Sequence, residues 1–191
     1  MASALFIIDV QNDFTEGGAL GVTGGTAVAH GVTMLLKDAP GRYDLVVASR
    51  DWHDNDNDNG GHFSTVPDFV DTWPVHCVAG SVGAEYNDGL DQALINVHVR
   101  KGQGKPAYSI FEGVTHDGES VTELLDRRRI TDIDLVGIAT DYCVLASALD
   151  AVSAGRSVRV LTALVAGVAP ESSAAALEAL AAAGVELVAA A

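Results

Sequence analysis

The chain is short of positive charge, of cysteine and of long apolar runs, and each shortage excludes something. Its 191 residues carry 11 Lys and Arg against 26 Asp and Glu, a formal net charge of −15. A surface of that sign repels nucleic acid and anionic lipid and leaves a small neutral molecule as the expected partner. Only two cysteines are present, Cys77 and Cys143. Two thiols do not make a disulfide framework, so a reducing, cytoplasmic setting is expected, with one bridge as the alternative. No apolar run approaches the roughly 20 residues of a membrane span. The opening "MASALFIIDVQNDF" lacks a basic leader, and its apolar run stops at Asp9, as a buried first strand does and a signal peptide does not. Familiar motifs are missing too. The glycine-rich "EGGALGVTGG" (16–25) holds no G-x-G-x-x-G and no P-loop, and the acidic "DVQND" before it would repel a phosphate. There is no G-x-S-x-G elbow and no C-x-x-C pair.

What is there is a regular alternation. Hydrophobic residues make up 48% of the chain, enough for one domain, 1–191, with a sizeable core. Short apolar runs at 4–9, 43–50, 95–101, 133–139, 157–165 and 185–190 read as strands. Helices are expected near 26–37, 119–129, 142–155 and 170–184, the last with Pro170 near its start and Gly184 past its end. Residues between about 52 and 94 look irregular. The pattern predicts a three-layer, doubly wound α/β fold, a six-stranded parallel sheet with helices on both faces.

Such sheets bind ligands at the carboxyl ends of their strands. That rule gathers Asp9, Asp51, His53, Lys101 and Cys143 at one edge. Cys143 falls at the start of a helix, where the macrodipole lowers a thiol's pKa, and Asp141 sits where an N-cap belongs. The position fits a nucleophile with backbone N–H groups near its sulfur, and equally a thiol packed as a small hydrophobe. Asp9 is a candidate proton acceptor and Lys101, one of three lysines, a candidate fixed charge between them. Singly, Asp9 also reads as a loop cap and Lys101 as a solvated strand end. Three reactive types at successive strand ends favour chemistry.

The stretch "RDWHDNDNDNGGHFS" (50–64) adds a second cluster. Asp51-x-His53 puts a carboxylate and an imidazole on one side of an extended segment. With His62 and His76 they make a donor set suited to zinc, iron or manganese. A calcium loop fails by counting: a frame from Asp54 puts Asn59 at position 6 and Thr65 at position 12, and a frame from Asn55 puts Val66 at position 12. Asp54 to Asn59 is therefore expected to be a solvated, mobile turn, and His30, His98 and His116 to be scattered surface residues.

Taken together, "LFIIDVQNDFTEGGALGVTGG", "ASRDWH", "GHFS", "DTWPVHCVAGSVGAE", "RKGQGKPAYSIFEG" and "GIATDYCVLASALDA" resemble the nicotinamidase/pyrazinamidase family of isochorismatase-like cysteine hydrolases. The resemblance spans nearly the whole chain; it departs between His53 and His62, where the run is a few residues longer. It implies a triad of Asp9, Lys101 and Cys143 and a single divalent metal on Asp51, His53, His62 and His76. It implies a cis bond between Ile138 and Ala139, with the Ala139 and Cys143 N–H groups as oxyanion hole. Phe14, Trp73 and Tyr108 match positions that wall an aromatic pocket; Tyr142 falls where the family varies. The implied reaction, part of NAD salvage, converts nicotinamide, and pyrazinamide, to the acid and ammonia through a thioester, in a monomer or small homo-oligomer. Rival readings are another amide or ureido hydrolase on the same scaffold, a hydrolase using metal-bound hydroxide, and a non-catalytic metal-binding or partner-binding module.

Overall fold

The computed structural model describes residues 2–189. Its strands are β1 (Ala2–Ile8), β2 (Leu45–Asp51), β3 (Val97–Lys101), β4 (Val114–Thr115), β5 (Ile130–Ile138), β6 (Ser157–Ala166) and β7 (Glu186–Val188). The α-helices are α1 (Gly25–Asp38), α2 (Val121–Arg128), α3 (Leu145–Ser153) and α4 (Pro170–Ala182). The strands form one sheet in the order β4-β3-β2-β1-β5-β6-β7. Six are parallel as expected, and β4 adds a seventh, antiparallel at the edge through Val99↔Thr115 and Arg100↔Val114. A two-residue strand carries no periodic signal, which is why the sequence reading passes over it. The strand expected over 185–190 is present over Glu186–Val188; Ala190 lies outside the described residues.

Strand alternation splits the core in two. Phe6 and Ile8 join Leu124 and Leu125 of α2, Ala148 of α3 and Leu180 of α4 on one face. Leu5 and Ile7 join Val28, Ala29 and Val32 of α1 on the other. Both faces are covered, so the central strands are apolar on both sides. Helix ends follow local chemistry. Ser120 and Glu123 form a reciprocal capping box at the start of α2. α1 has no side-chain cap of its own; the Glu16 carboxylate, eight residues upstream of Gly24, takes the Gly24 and Thr26 N–H groups at 2.6 and 2.8 Å.

The polar edge is set by register. Asp51 and Lys101 are direct neighbours at the ends of β2 and β3, and Ile8 lies opposite Gly137 across β1 and β5. At Gly137 φ is 122°, and a Cβ there would lie 2.1 Å from the Ile8 carbonyl oxygen, so no other residue fits beside the turn at Asp9. No helix among the described residues is long and apolar enough to cross a membrane.

Candidate active site

β1 ends just before Asp9, β3 ends at Lys101, and β5 runs into a π-helical turn, Thr140–Val144, that carries Cys143. The Lys101 ammonium stands 3.0 Å from Asp9 Oδ2 and 3.8 Å from Cys143 Sγ, and donates to the Ala107 carbonyl at 3.1 Å. It also pairs with Asp51 Oδ1. Asp9 accepts from the Ser49 hydroxyl at 2.7 Å through its other oxygen. Asp9 and Lys101 are completely buried. Burial alone would depress Lys101, but Asp51 and Asp9 outweigh it and hold the ammonium well above the usual lysine range. Burial lifts the Asp9 carboxyl above the usual carboxylate range despite Lys101.

Two expectations about Cys143 need correcting. The thiol is raised, not lowered: burial dominates, and although Lys101 pulls it down, Asp9 and Asp51 add to the rise. Asp141 is not an N-cap for the cysteine's own turn, whose N-cap residue is Ala139. Its carboxylate instead takes the N–H groups of Val168 and Ala169 at 2.9 and 3.2 Å and the Ser172 hydroxyl at 2.5 Å, which fastens the segment leading into α4 to the cysteine's turn. The Ile138–Ala139 peptide bond is cis.

The irregular segment is folded back on itself by backbone bonds. His53 N–H donates to Cys77 O at 3.0 Å and Ala79 N–H to His53 O at 2.9 Å, which brings His76 beside His53. Trp73 N–H donates to His62 O at 2.9 Å, which brings in His62. Ring centroids of His53 lie 4.9 Å from those of both His62 and His76. One ligand-capable atom from each of the three histidines lies within 4.8 Å of the others. Asp51 Oδ2 is 3.6 Å from His53 Nε2 and 3.8 Å from His76 Nε2. All four residues are buried.

This donor set fits a metal ion. His53 and His76 donate Nδ1–H to the carbonyls of Gly102 and Pro74 at 2.7 and 2.8 Å, which leaves each Nε2 bare. His53 Nε2 and His62 Nδ1 are buried without a partner. Burial, reinforced by the neighbouring histidines, holds His62 down at about 4, and burial lowers His76, so these two rings are neutral and ligand-ready. Burial alone would raise Asp51, but the Lys101 ammonium holds it below the usual carboxylate range. Borderline nitrogen donors with one carboxylate suit a first-row divalent ion.

A cleft of about 300 Å³ opens over the thiol, His62 and His76, lined by Phe14, Trp73, Tyr108 and Tyr142. Trp73 Nε1 donates to the Tyr108 hydroxyl at 3.0 Å, and Tyr142 packs edge-on to Trp73 at 5.2 Å. Sequence reasoning missed Leu20 and Phe69, which also line the cleft. Phe69 sits at φ 58° in a turn organised by Asp68, whose Oδ1 accepts from the N–H groups of Val70, Asp71 and Thr72 at 2.9, 3.0 and 2.9 Å. It also missed Gln11, which is buried and clamps Asp51 by its N–H at 2.8 Å and its carbonyl at 2.9 Å. Of the remaining histidines, His98 bonds the Tyr86 hydroxyl at 3.1 Å, and His30 and His116 are exposed.

Three similarities bear on this geometry. The chain is 47% identical over 97% of its length, and 97% of the relative's, to the nicotinamidase/pyrazinamidase of Mycobacterium tuberculosis. It superposes on PnC1 from L. infantum in complex with nicotinate with a TM-score of 0.84 at 35% identity, covering 98% of this chain and 92% of that one. It superposes on the pyrazinamidase of Pyrococcus horikoshii in complex with zinc with a TM-score of 0.82 at 33% identity, covering 98% and 99%. The isochorismatase domain model matches residues 3–191, and with the seven-stranded α/β sheet and its polar edge this establishes that the chain belongs to the isochorismatase family.

Proposed function

We propose that the protein is a nicotinamidase, a cysteine amidohydrolase that converts nicotinamide, and pyrazinamide, to the acid and ammonia. The observation that carries the proposal is the position of Lys101. One buried ammonium touches Asp9, Cys143 and Asp51, so a thiol, a base and a histidine cluster share a single site under an aromatic cleft. The nicotinate and zinc named for two structural neighbours support the substrate class and the metal.

In this reading the pyridine ring lies in the cleft among Phe14, Trp73 and Tyr108. Asp51, His53, His62 and His76 hold one divalent ion, zinc, iron or manganese. When bound, that ion supplies a Lewis-acidic anchor for the ring nitrogen. Asp9, lifted by burial, takes the Cys143 proton as sulfur attacks the carboxamide carbon. Lys101 offsets the charge that develops on sulfur. The N–H groups of Ala139 and Cys143 receive the oxyanion. Asp9 then passes its proton to the departing amine, leaving ammonia and a thioester. Water, deprotonated by Asp9, cleaves the thioester to the acid and restores the thiol.

The test is ammonia release from nicotinamide by wild type, Cys143→Ala and metal-stripped protein, with calorimetric nicotinamide binding alongside. Cys143→Ala is expected to bind and not turn over. Ammonia release that survives in Cys143→Ala would transfer the chemistry to metal-bound hydroxide and overturn the thioester scheme.

A further inference from the structure

The segment between His53 and His62, expected to be a solvated turn, is solvated only in part. Residues Asn55 to Asp58 are exposed, but Asn59 is fully buried. Its side chain is spent on ties. Oδ1 accepts from the Asp54 N–H at 2.9 Å and from the Gly104 N–H at 3.1 Å, and Nδ2 donates to the Asp54 carbonyl at 3.0 Å. The first and third of these close the insertion at its neck. The second fastens it to the loop that follows β3.

That loop, residues 102–107, also holds His53 and Lys101. Gly102 O receives His53 Nδ1–H, and Ala107 O receives the Lys101 ammonium. Gly60 completes the contact: a Cβ there would lie 3.4 Å from Gly104 O and from Pro106 Cδ. Asn59 adopts φ 51° and Gly60 φ 70°, a left-handed pair that reverses the chain just before His62. From there the His62 N–H reaches back to Asn59 O at 3.4 Å.

We infer that Asn59 is a positioning residue that sets His62 against the same loop that sets His53, so that the long insertion still delivers a third histidine. The inference rests on the reading of His62 as a metal ligand. Asparagine suits the position because it tolerates the left-handed region and its amide supplies acceptor and donor together. The exposed Asp and Asn residues around it keep the insertion soluble and contribute no tie to the loop after β3.

The test is zinc affinity of the full chain, by competition with a chromophoric chelator, for wild type, His62→Ala, Asn59→Gly and Asn59→Asp. Visible absorption of the cobalt(II) form and the melting temperature of metal-free protein are measured in parallel. Glycine keeps the left-handed backbone and deletes only the ties. Asn59→Gly is expected to weaken zinc about 10- to 100-fold, alter the cobalt spectrum toward that of His62→Ala, and leave the metal-free melting temperature near wild type. Asn59→Asp, which keeps both Oδ acceptor ties, is expected to restore most of the affinity. Wild-type affinity in Asn59→Gly, with affinity lost in His62→Ala, would overturn the inference and leave the proposed function standing. Wild-type affinity in His62→Ala would overturn the inference and the ligand assignment together. A collapse of the metal-free melting temperature in Asn59→Gly would make Asn59 a general folding residue and overturn its positioning role.

Discussion

Lys101 pairs with the Oδ1 oxygen of Asp51, while Oδ2 of the same carboxylate faces His53 and His76. One side chain therefore belongs to two groups of residues at once. Lys101 is wholly buried, so its removal leaves Asp9 and Asp51 close together without a cation. Lys101→Met is expected to cost about 3–5 kcal/mol of unfolding free energy and to abolish turnover. Adding Asp9→Asn removes one stranded charge and is expected to restore part of the stability and none of the activity. Urea titration of the single and double variants reads the first effect and ammonia release the second; equal stability of Lys101→Met and wild type would refute the electrostatic account.

Metal removal should act on stability as well as rate. A ligand that binds only the folded state stabilises it by about 2.7 kcal/mol at a free concentration of 100 times its Kd. Chelation is expected to lower the melting temperature and stop ammonia release, and a stoichiometric divalent ion is expected to restore both. A melting temperature indifferent to chelator and to added ion would count against a bound metal on the four residues.

Asp141 ties down the segment that leads into α4 from 27 residues away, through Val168 N–H. Asp141→Ala removes those hydrogen bonds and is expected to cost about 1 kcal/mol. The midpoint of urea unfolding should fall with its slope unchanged. Asp141→Asn, which keeps an acceptor, should lose less; an Asn variant as weak as the Ala variant would mean that the carboxylate's charge and not its hydrogen bonds matters.

Glu16 gives a pH signature away from the site. The Thr26 hydroxyl, with the Thr26 and Gly24 N–H groups, holds its carboxyl at about 2, below the ordinary value of 4.5. A depressed folded pKa means stability that is present above about 4.5 and is lost as pH falls toward 2. Glu16→Gln is expected to flatten the acid limb of the stability curve within that window and to leave activity at neutral pH unchanged. An acid limb identical to wild type would remove Glu16 from the account.

The sheet and its reactive edge were legible because the strands are written as short, mainly apolar or alternating runs that end on polar residues: Asp9 after β1, Asp51 on β2, Lys101 on β3. The cluster of His53, His62 and His76 was legible through residue type and family resemblance. Asn59 was not: one buried amide in a run of exposed Asp and Asn has the same letters as its neighbours. Neither was Asp141, whose partners lie across a loop, nor Glu16, whose carboxylate caps a helix eight residues downstream at Gly24. Nor was Gln11, because both ends of its amide bond a strand it meets only in three dimensions. The thiol's raised pKa was hidden for a similar reason. A helix start can be guessed from sequence, but the degree of burial around Cys143 cannot.

The turn at 68–72 has a consequence for how such a protein diversifies. Its internal hydrogen bonds close on Asp68 and Thr72, the Tyr142 hydroxyl donates to Phe69 O at 3.5 Å, and the turn presents Phe69 to the cleft without bonding to Asp9, Lys101 or Cys143. This part of the cleft wall is thus carried on a different stretch of the chain from Asp9, Lys101 and Cys143. Substitutions at Phe69 can reshape the space offered to a ring while thiol chemistry is conserved, so a library confined to this turn is the economical route to altered amide preference.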